Sequence, residues 1–160
     1  MGPRELRRVF ERGHRFDVGE MVGHEYHGVS LGLPRIVERV TWKKFKKVFR
    51  RDDGDTMRGW NVRVVQNLID EEWLDRTKAG RPVTYGHFAV HESADGVLLD
   101  YSAGGGLLRR VRDPLVSLQS SSADRLLGFT KVELFGRRVP TPSFFLLERG
   151  GPLTYDVAPC

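Results

Sequence analysis

The chain has 160 residues, 39% of them hydrophobic and 29% charged, with a formal net charge of +5. This length suits one domain with a sizeable core, and the composition is that of a globular protein rather than a disordered or fibrous one. The positive balance favours anionic partners without choosing among nucleic acid, lipid headgroups and acidic small molecules.

The lone cysteine, Cys160, excludes an internal disulfide and fits a reducing compartment. The N-terminus lacks an apolar leader, and no run approaches the ~18 apolar residues of a spanning helix, so a cytoplasmic protein without a membrane span is expected. Residues 1–160 read as a single domain: a helix and lead-in over 1–16, a β-barrel over 23–149, and an extended tail over 150–160.

In chain order, Pro3–Gly13 predicts a short helix with Leu6, Val9 and Phe10 on one face, suited to plugging one end of a barrel. Gly23–Gly32 predicts a strand, and Leu33–Thr41 a short helix, from Ile36, Val37 and Val40. The basic arm that follows sets Trp42, Phe45 and Phe49 among lysines and arginines. It is read as a strand from about Trp42, with one amphipathic helix over 34–50 as the alternative. Its turn, Asp52-Asp53-Gly54-Asp55, leads into a strand in which Trp60, Val62 and Val64 alternate with Asn61 and Arg63.

Residues 67–81 are polar and predict a loop. Strands follow at Val83–Ser93, Gly96–Ala103, Val111–Gln119, Leu126–Phe135 and Ser143–Arg149, the first two joined across Asp95-Gly96. The fold class expected is mainly β: an antiparallel up-and-down barrel of eight strands, with a short N-terminal helix and another near 33–41. Closure removes the two free sheet edges, and a barrel of this size either fills with side chains or holds one small ligand. Trp60, Val62, Val64, Thr130, Val132 and Leu134 are the candidate interior.

The order of these elements resembles the calycins, the group of lipocalins and fatty-acid-binding proteins. Within it the chain is most similar to the bacterial proteins named for a GXWXG motif. The matching pieces are Tyr26-His27-Gly28, the Leu33–Phe49 segment, Leu99-Asp100-Tyr101, Arg112-Asp113-Pro114-Leu115, Leu127-Gly128 and Phe144–Arg149. Tyr26 stands where that motif has tryptophan, and Gly23 and Gly28 are five apart where the motif has four. The resemblance implies a calycin-like barrel with a ligand cavity and implies no reaction.

The hairpin over Val83–Ala103 carries the most chemistry. With Asp95-Gly96 as its loop, His91 faces Asp100 and Val90 faces Tyr101, and alternation adds Tyr85 and His87 to the same wall. A carboxylate beside an imidazole orients the ring and raises its basicity, as a general base requires. The plainer reading makes these hydrogen-bonded barrel residues.

No metal site is expected. His24 and His27 point to opposite faces of a strand, and His87 and His91 stand about 13 Å apart along one. No phosphate loop or nucleophile elbow is present, so no cofactor is expected. The first functional expectation is a module enclosing a small apolar or amphipathic molecule, such as a lipid or polyketide-like metabolite, with Tyr26, Trp60, Tyr85, His87 and Tyr101 lining or gating it. The second is a cofactor-free isomerase, cyclase or hydrolase using His91 as base, Asp100 to orient it, and Tyr85 or Tyr101 to stabilise charge. A minor third is nucleic-acid or anion binding through residues 43–51, which cationic surface over buried aromatics explains more simply.

Overall fold

A computed structural model describes residues 2–31, 43–94 and 96–157. The expected helix over 33–41, Trp42, Asp95 and Cys160 lie outside the described residues. One α-helix, α1 (Pro3–Glu11), precedes ten strands: β1 (His24–Leu31), β2 (Lys44–Arg51), β3 (Met57–Arg63), β4 (Thr77–Lys78), β5 (Arg81–Pro82), β6 (Thr84–Ser93), β7 (Gly96–Asp100), β8 (Val111–Ser117), β9 (Arg125–Leu134) and β10 (Arg137–Pro152). Eight of them close into an antiparallel up-and-down barrel in the order β1-β10-β9-β8-β7-β6-β3-β2. The basic arm is a strand, and its Asp-Gly turn closes a hairpin in which Arg51 pairs with Met57. Within the expected loop, β4 and β5 form a small hairpin turned by Ala79 and Gly80, both at positive φ. No helix among the described residues is long and apolar enough to cross a membrane.

Three apolar clusters explain why the wall is stable on both faces. The inner one contains Phe16, Met21, Tyr26, Phe45, Phe49, Phe88, Leu99, Tyr101, Leu115, Leu126, Phe145 and Leu147. Bulky rings fit inside so small a barrel because glycines thin the wall: a Cβ on Gly28 would stand 2.3 Å from the Phe45 ring. The second cluster lies outside, where Leu6, Val9 and Phe10 of α1 pack on Leu127, Phe129 and Phe144. The helix therefore covers the outer wall rather than plugging the barrel. The plug is the segment after it: Phe16, and Met21 from the 3-10 turn Val18–Met21, join the inner cluster beside Ala123 and close one end.

The third cluster corrects the expected interior. Val48, Trp60 and Val62 are buried on the outer face, under Leu153 and Val157 of the tail. That tail is strapped down rather than loose. Leu153 N–H donates to the Gly23 carbonyl at 2.8 Å, Arg58 donates to the Val157 carbonyl at 2.9 Å, and Arg50 pairs with Asp156. Hydrophobic alternation marks the covered face of a strand, and here the tail does the covering. The inner positions of β2 and β3 are Phe45, Lys47 and Phe49, and Gly59 and Asn61.

Trp60 is fully buried beneath this strap, so Trp60→Ala should lower the unfolding free energy by about 3–5 kcal/mol in urea. A loss below about 1 kcal/mol would show that the tail does not seal this face.

Candidate functional site

The barrel interior changes character along its axis. Toward the end closed by Phe16 and Met21 it is apolar and packed. Toward the other end the inward positions become Ser30, Lys47, Asn61, Tyr85, Asp113, Thr130 and Ser143, which with Phe45, Leu108, Val111 and Phe145 line a hollow of about 250 Å³.

Strand pairing places each polar group. Lys47 on β2 is directly opposite Asn61 on β3, and Leu99 on β7 is opposite Asp113 on β8. Tyr101 follows β7 and is tied to β8 through its N–H to the Val111 carbonyl. The side chains converge on the Lys47 ammonium, whose Nζ donates to Asn61 Oδ1 at 2.8 Å and to the Tyr101 hydroxyl at 2.5 Å. The rings of Phe45, Phe88, Tyr101 and Phe145 surround it, with centroids 5.1–5.3 Å away. Asn61 is fixed in turn, its Nδ2 donating to the Gly86 carbonyl at 2.9 Å.

Electrostatically the site is a loose buried pair. Asp113 Oδ2 lies 3.9 Å from Lys47 Nζ, and Asp113 Oδ1 makes no hydrogen bond. Burial pushes the Lys47 ammonium down to about 8, against the opposing pull of Asp113. Burial also raises the Asp113 carboxyl, opposed by Lys47 and by the neighbouring Thr130 and Tyr101 hydroxyls. Tyr101 is held well above its ordinary value by burial and then by the Asp113 charge. Burial pushes Tyr85 up to about 12 against the pull of Arg63.

The residues singled out in the sequence are dispersed. Tyr85 lines the hollow, and Tyr101 meets the lining Lys47 through its hydroxyl. Tyr26 lies within the apolar core, edge-on to Phe49 with centroids 5.4 Å apart. Trp60 is on the outer wall with His87 near it, their ring centroids 6.3 Å apart. Burial and then Arg58 lower the His87 pKa. Tyr85 and His87 do not share a face, because the β3–β6 register shifts between Gly59 and Asn61, and Gly86 opposite takes φ +54°. That bulge turns Tyr85 inward and leaves His87 outside.

The expected pairing of His91 with Asp100 is also corrected. Ser93 pairs with Gly96, His91 with Leu98 and Ala89 with Asp100, so the register is displaced by two residues from the expected one. A diagonal contact survives, His91 Nε2 to Asp100 Oδ2 at 3.7 Å, but on the outer surface, with the His91 side chain 58% exposed. Burial would raise the Asp100 pKa, but hydrogen bonding from Ser102 and the charges of Arg112 and His91 outweigh it, and the net shift is downward.

The basic arm is largely spent within the molecule. Lys44 Nζ donates to Asn67 Oδ1 at 2.6 Å and to the Leu68 and Glu71 carbonyls. Lys46 pairs with Glu25 at 3.2 Å and Asp75 at 2.7 Å, and Arg51 with Asp55. These pairings engage Lys44, Lys46 and Arg51 within the molecule, while Lys43 is exposed. Among the described residues no group of three His, Cys, Asp or Glu side chains could hold a metal ion.

Asn61 and Asp113 are not among the site residues expected from the sequence, and Lys47 is there only as part of the basic arm over 43–51. Thr130, expected in the interior, lines the hollow, whereas Leu134 is exposed at 38%. The overlooked signal is period two. Once residues 44–51 are a strand, the inward Phe45 and Phe49 carry Lys47 between them to the same face. Neither a protein-family model nor a curated protein sequence matches the chain. The closed barrel of eight antiparallel strands is compatible with a calycin-like fold.

Between about pH 8 and the ordinary lysine range, the unfolded chain holds a proton that folded Lys47 has released. Stability from this residue therefore rises with pH across that window. Denaturation from pH 7 to 10 should show the wild type gaining on the charge-balanced double variant Lys47→Met/Asp113→Asn. Parallel curves would contradict a buried, depressed Lys47.

Proposed function

We propose that this barrel is a binding module for a small amphipathic molecule. Its polar end would meet Lys47, Asn61, Tyr101 and Asp113, and its apolar body would lie among Phe45, Phe145, Leu108 and Val111. One observation carries the reading: a lysine and an aspartate, 3% and 4% exposed, face a hollow instead of a packed core. Buried charges in a fold of this size are unfavourable unless paired and hydrogen-bonded. Here the pair is loose and one carboxylate oxygen is unbonded, an arrangement suited to exchange with a ligand's polar group.

A mostly apolar lining with few convergent polar groups is the usual composition of a small-molecule site. The hollow of about 250 Å³ sets the scale. A cavity of roughly 150 Å³ accepts benzene, so one substituted ring or a short chain fits, and a longer lipid would extend through the mouth.

The resemblance to calycins, and within them to the GXWXG proteins, agrees with a carrier or sequestering role. Tyr85 and Tyr101 remain in the proposed contact set, while Tyr26, Trp60 and His87 act on the shell around it. A cytoplasmic setting, from the single cysteine, belongs to the same reading. The alternative of an enzyme built on His91 and Asp100 gains no support from two side chains on the outer surface.

Titration of labelled protein with 4-methylbenzyl alcohol should give saturable NMR shifts centred on Val111, Thr130 and Ser143. Native mass spectrometry of protein from its own host should retain a bound small molecule. Shifts confined to the outer wall, with no molecule retained, would overturn the proposal.

A further inference from the structure

Binding leaves unexplained why the group at the floor of the hollow is an amine. A hydroxyl or amide would recognise a polar ligand without the burden of a buried charge, and an anion receptor would not set a carboxylate 3.9 Å from its cation. With Asp113 and Lys47 together the hollow is close to charge-neutral. An acidic ligand that took Lys47 would strand Asp113, whose one ion pair among the described residues is with Lys47. A neutral carbonyl compound leaves the balance intact.

Resting on the binding role above, we propose that the hollow is a covalent carbonyl site, in which Lys47 Nζ condenses reversibly with an aldehyde or unhindered ketone of the bound molecule to form an imine. Four features of the geometry support this. Among the described residues, Lys47 is the only amine lining the hollow. Its Nζ is aimed and held by Asn61 Oδ1 and the Tyr101 hydroxyl. Four aromatic rings face it, a wall that tolerates both the ammonium and an iminium while keeping out bulk water. Asp113 Oδ1, buried and unbonded, is free to accept a proton.

The chemistry balances without any redox partner. The Nζ lone pair forms the C–N bond as the carbonyl π bond opens, and one N–H proton passes to the oxygen to give a carbinolamine. Tyr101 or Asp113 then protonates that hydroxyl. The C–O bond breaks, water leaves, the C=N bond forms, and the second N–H proton returns to the acid. The sum is aldehyde plus amine giving imine plus water. A nucleophilic lysine must be neutral to attack, and desolvation beside aromatic walls supplies that. With Lys47 near 8, its neutral fraction at pH 7.5 is about two hundred times that of an ordinary lysine.

The test treats the full chain at pH 7.5 with 4-methylbenzaldehyde and sodium cyanoborohydride, which reduces the imine to a stable amine. Peptide mapping locates the adduct. In parallel, 4-methylbenzyl alcohol reports binding without a carbonyl. The expected result is one adduct on Lys47, formed at least about tenfold faster than on exposed Lys43 or Lys78, and competed by the alcohol. Lys47→Arg, which keeps the cation but offers no amine that forms an imine, should lose the fast adduct. Adducts only on exposed lysines, with alcohol binding intact, would overturn the imine and leave the binding role standing. Failure of both compounds to bind would overturn both.

Discussion

The contact between Lys47 and its three polar neighbours is the constraint around which the interior is divided. Below it, rings and aliphatic side chains pack around the buried Tyr26. Above it, the inward positions are hydroxyls, an amide and a carboxylate. A buried ammonium in so small a barrel is tolerable only while Asn61, Tyr101 and Asp113 stay in place, since losing one partner strands the other's charge. Each comes from a different strand or strand end, β3, β7 and β8, so the polar cluster also pins the register of half the wall. The bulge at Gly86, by turning Tyr85 inward and presenting its carbonyl to Asn61, is part of the same arrangement.

Covering both faces of the sheet explains the rest of the architecture. A barrel wall with one wet face would show polar residues outside and apolar ones inside. Here α1 shields one sector, the C-terminal strap another, and the Lys44-anchored loop carrying Trp73 a third. The cationic surplus is spent in holding these covers: Lys44 and Lys46 staple the loop, and Arg50 and Arg58 the tail. Such part-buried pairs work less as stability in themselves than as fixed points for the segments they tie down.

Much of the fold was legible in the sequence. Asp52-Asp53-Gly54-Asp55 announced a hairpin, β9 alternated plainly, and strand spacing implied a closed meander. The direction of each face was not. Trp60 and Val62 are apolar because the tail lies on them, so their pattern pointed to a core that is not the barrel's. His91 pairs with Leu98 instead of Asp100, a displacement of two residues that keeps His91 and Asp100 on one face but no longer directly opposite. Tyr85 and His87 were separated by a bulge that only the positive φ of Gly86 reveals. Lys47 was the recoverable residue, set by period two between the inward Phe45 and Phe49, against the general rule that lysine side chains are seldom buried.

That Lys47 lies desolvated at the floor of a ligand-sized hollow can be checked by NMR titration of the lysine side-chain amines, with Lys47 assigned from the Lys47→Arg spectrum. Lys47 should titrate with a midpoint near 8, and its signal should move when a small ligand is added. Uniform titration of every lysine in the ordinary range near 10.4, with Lys47 indifferent to ligand, would contradict it.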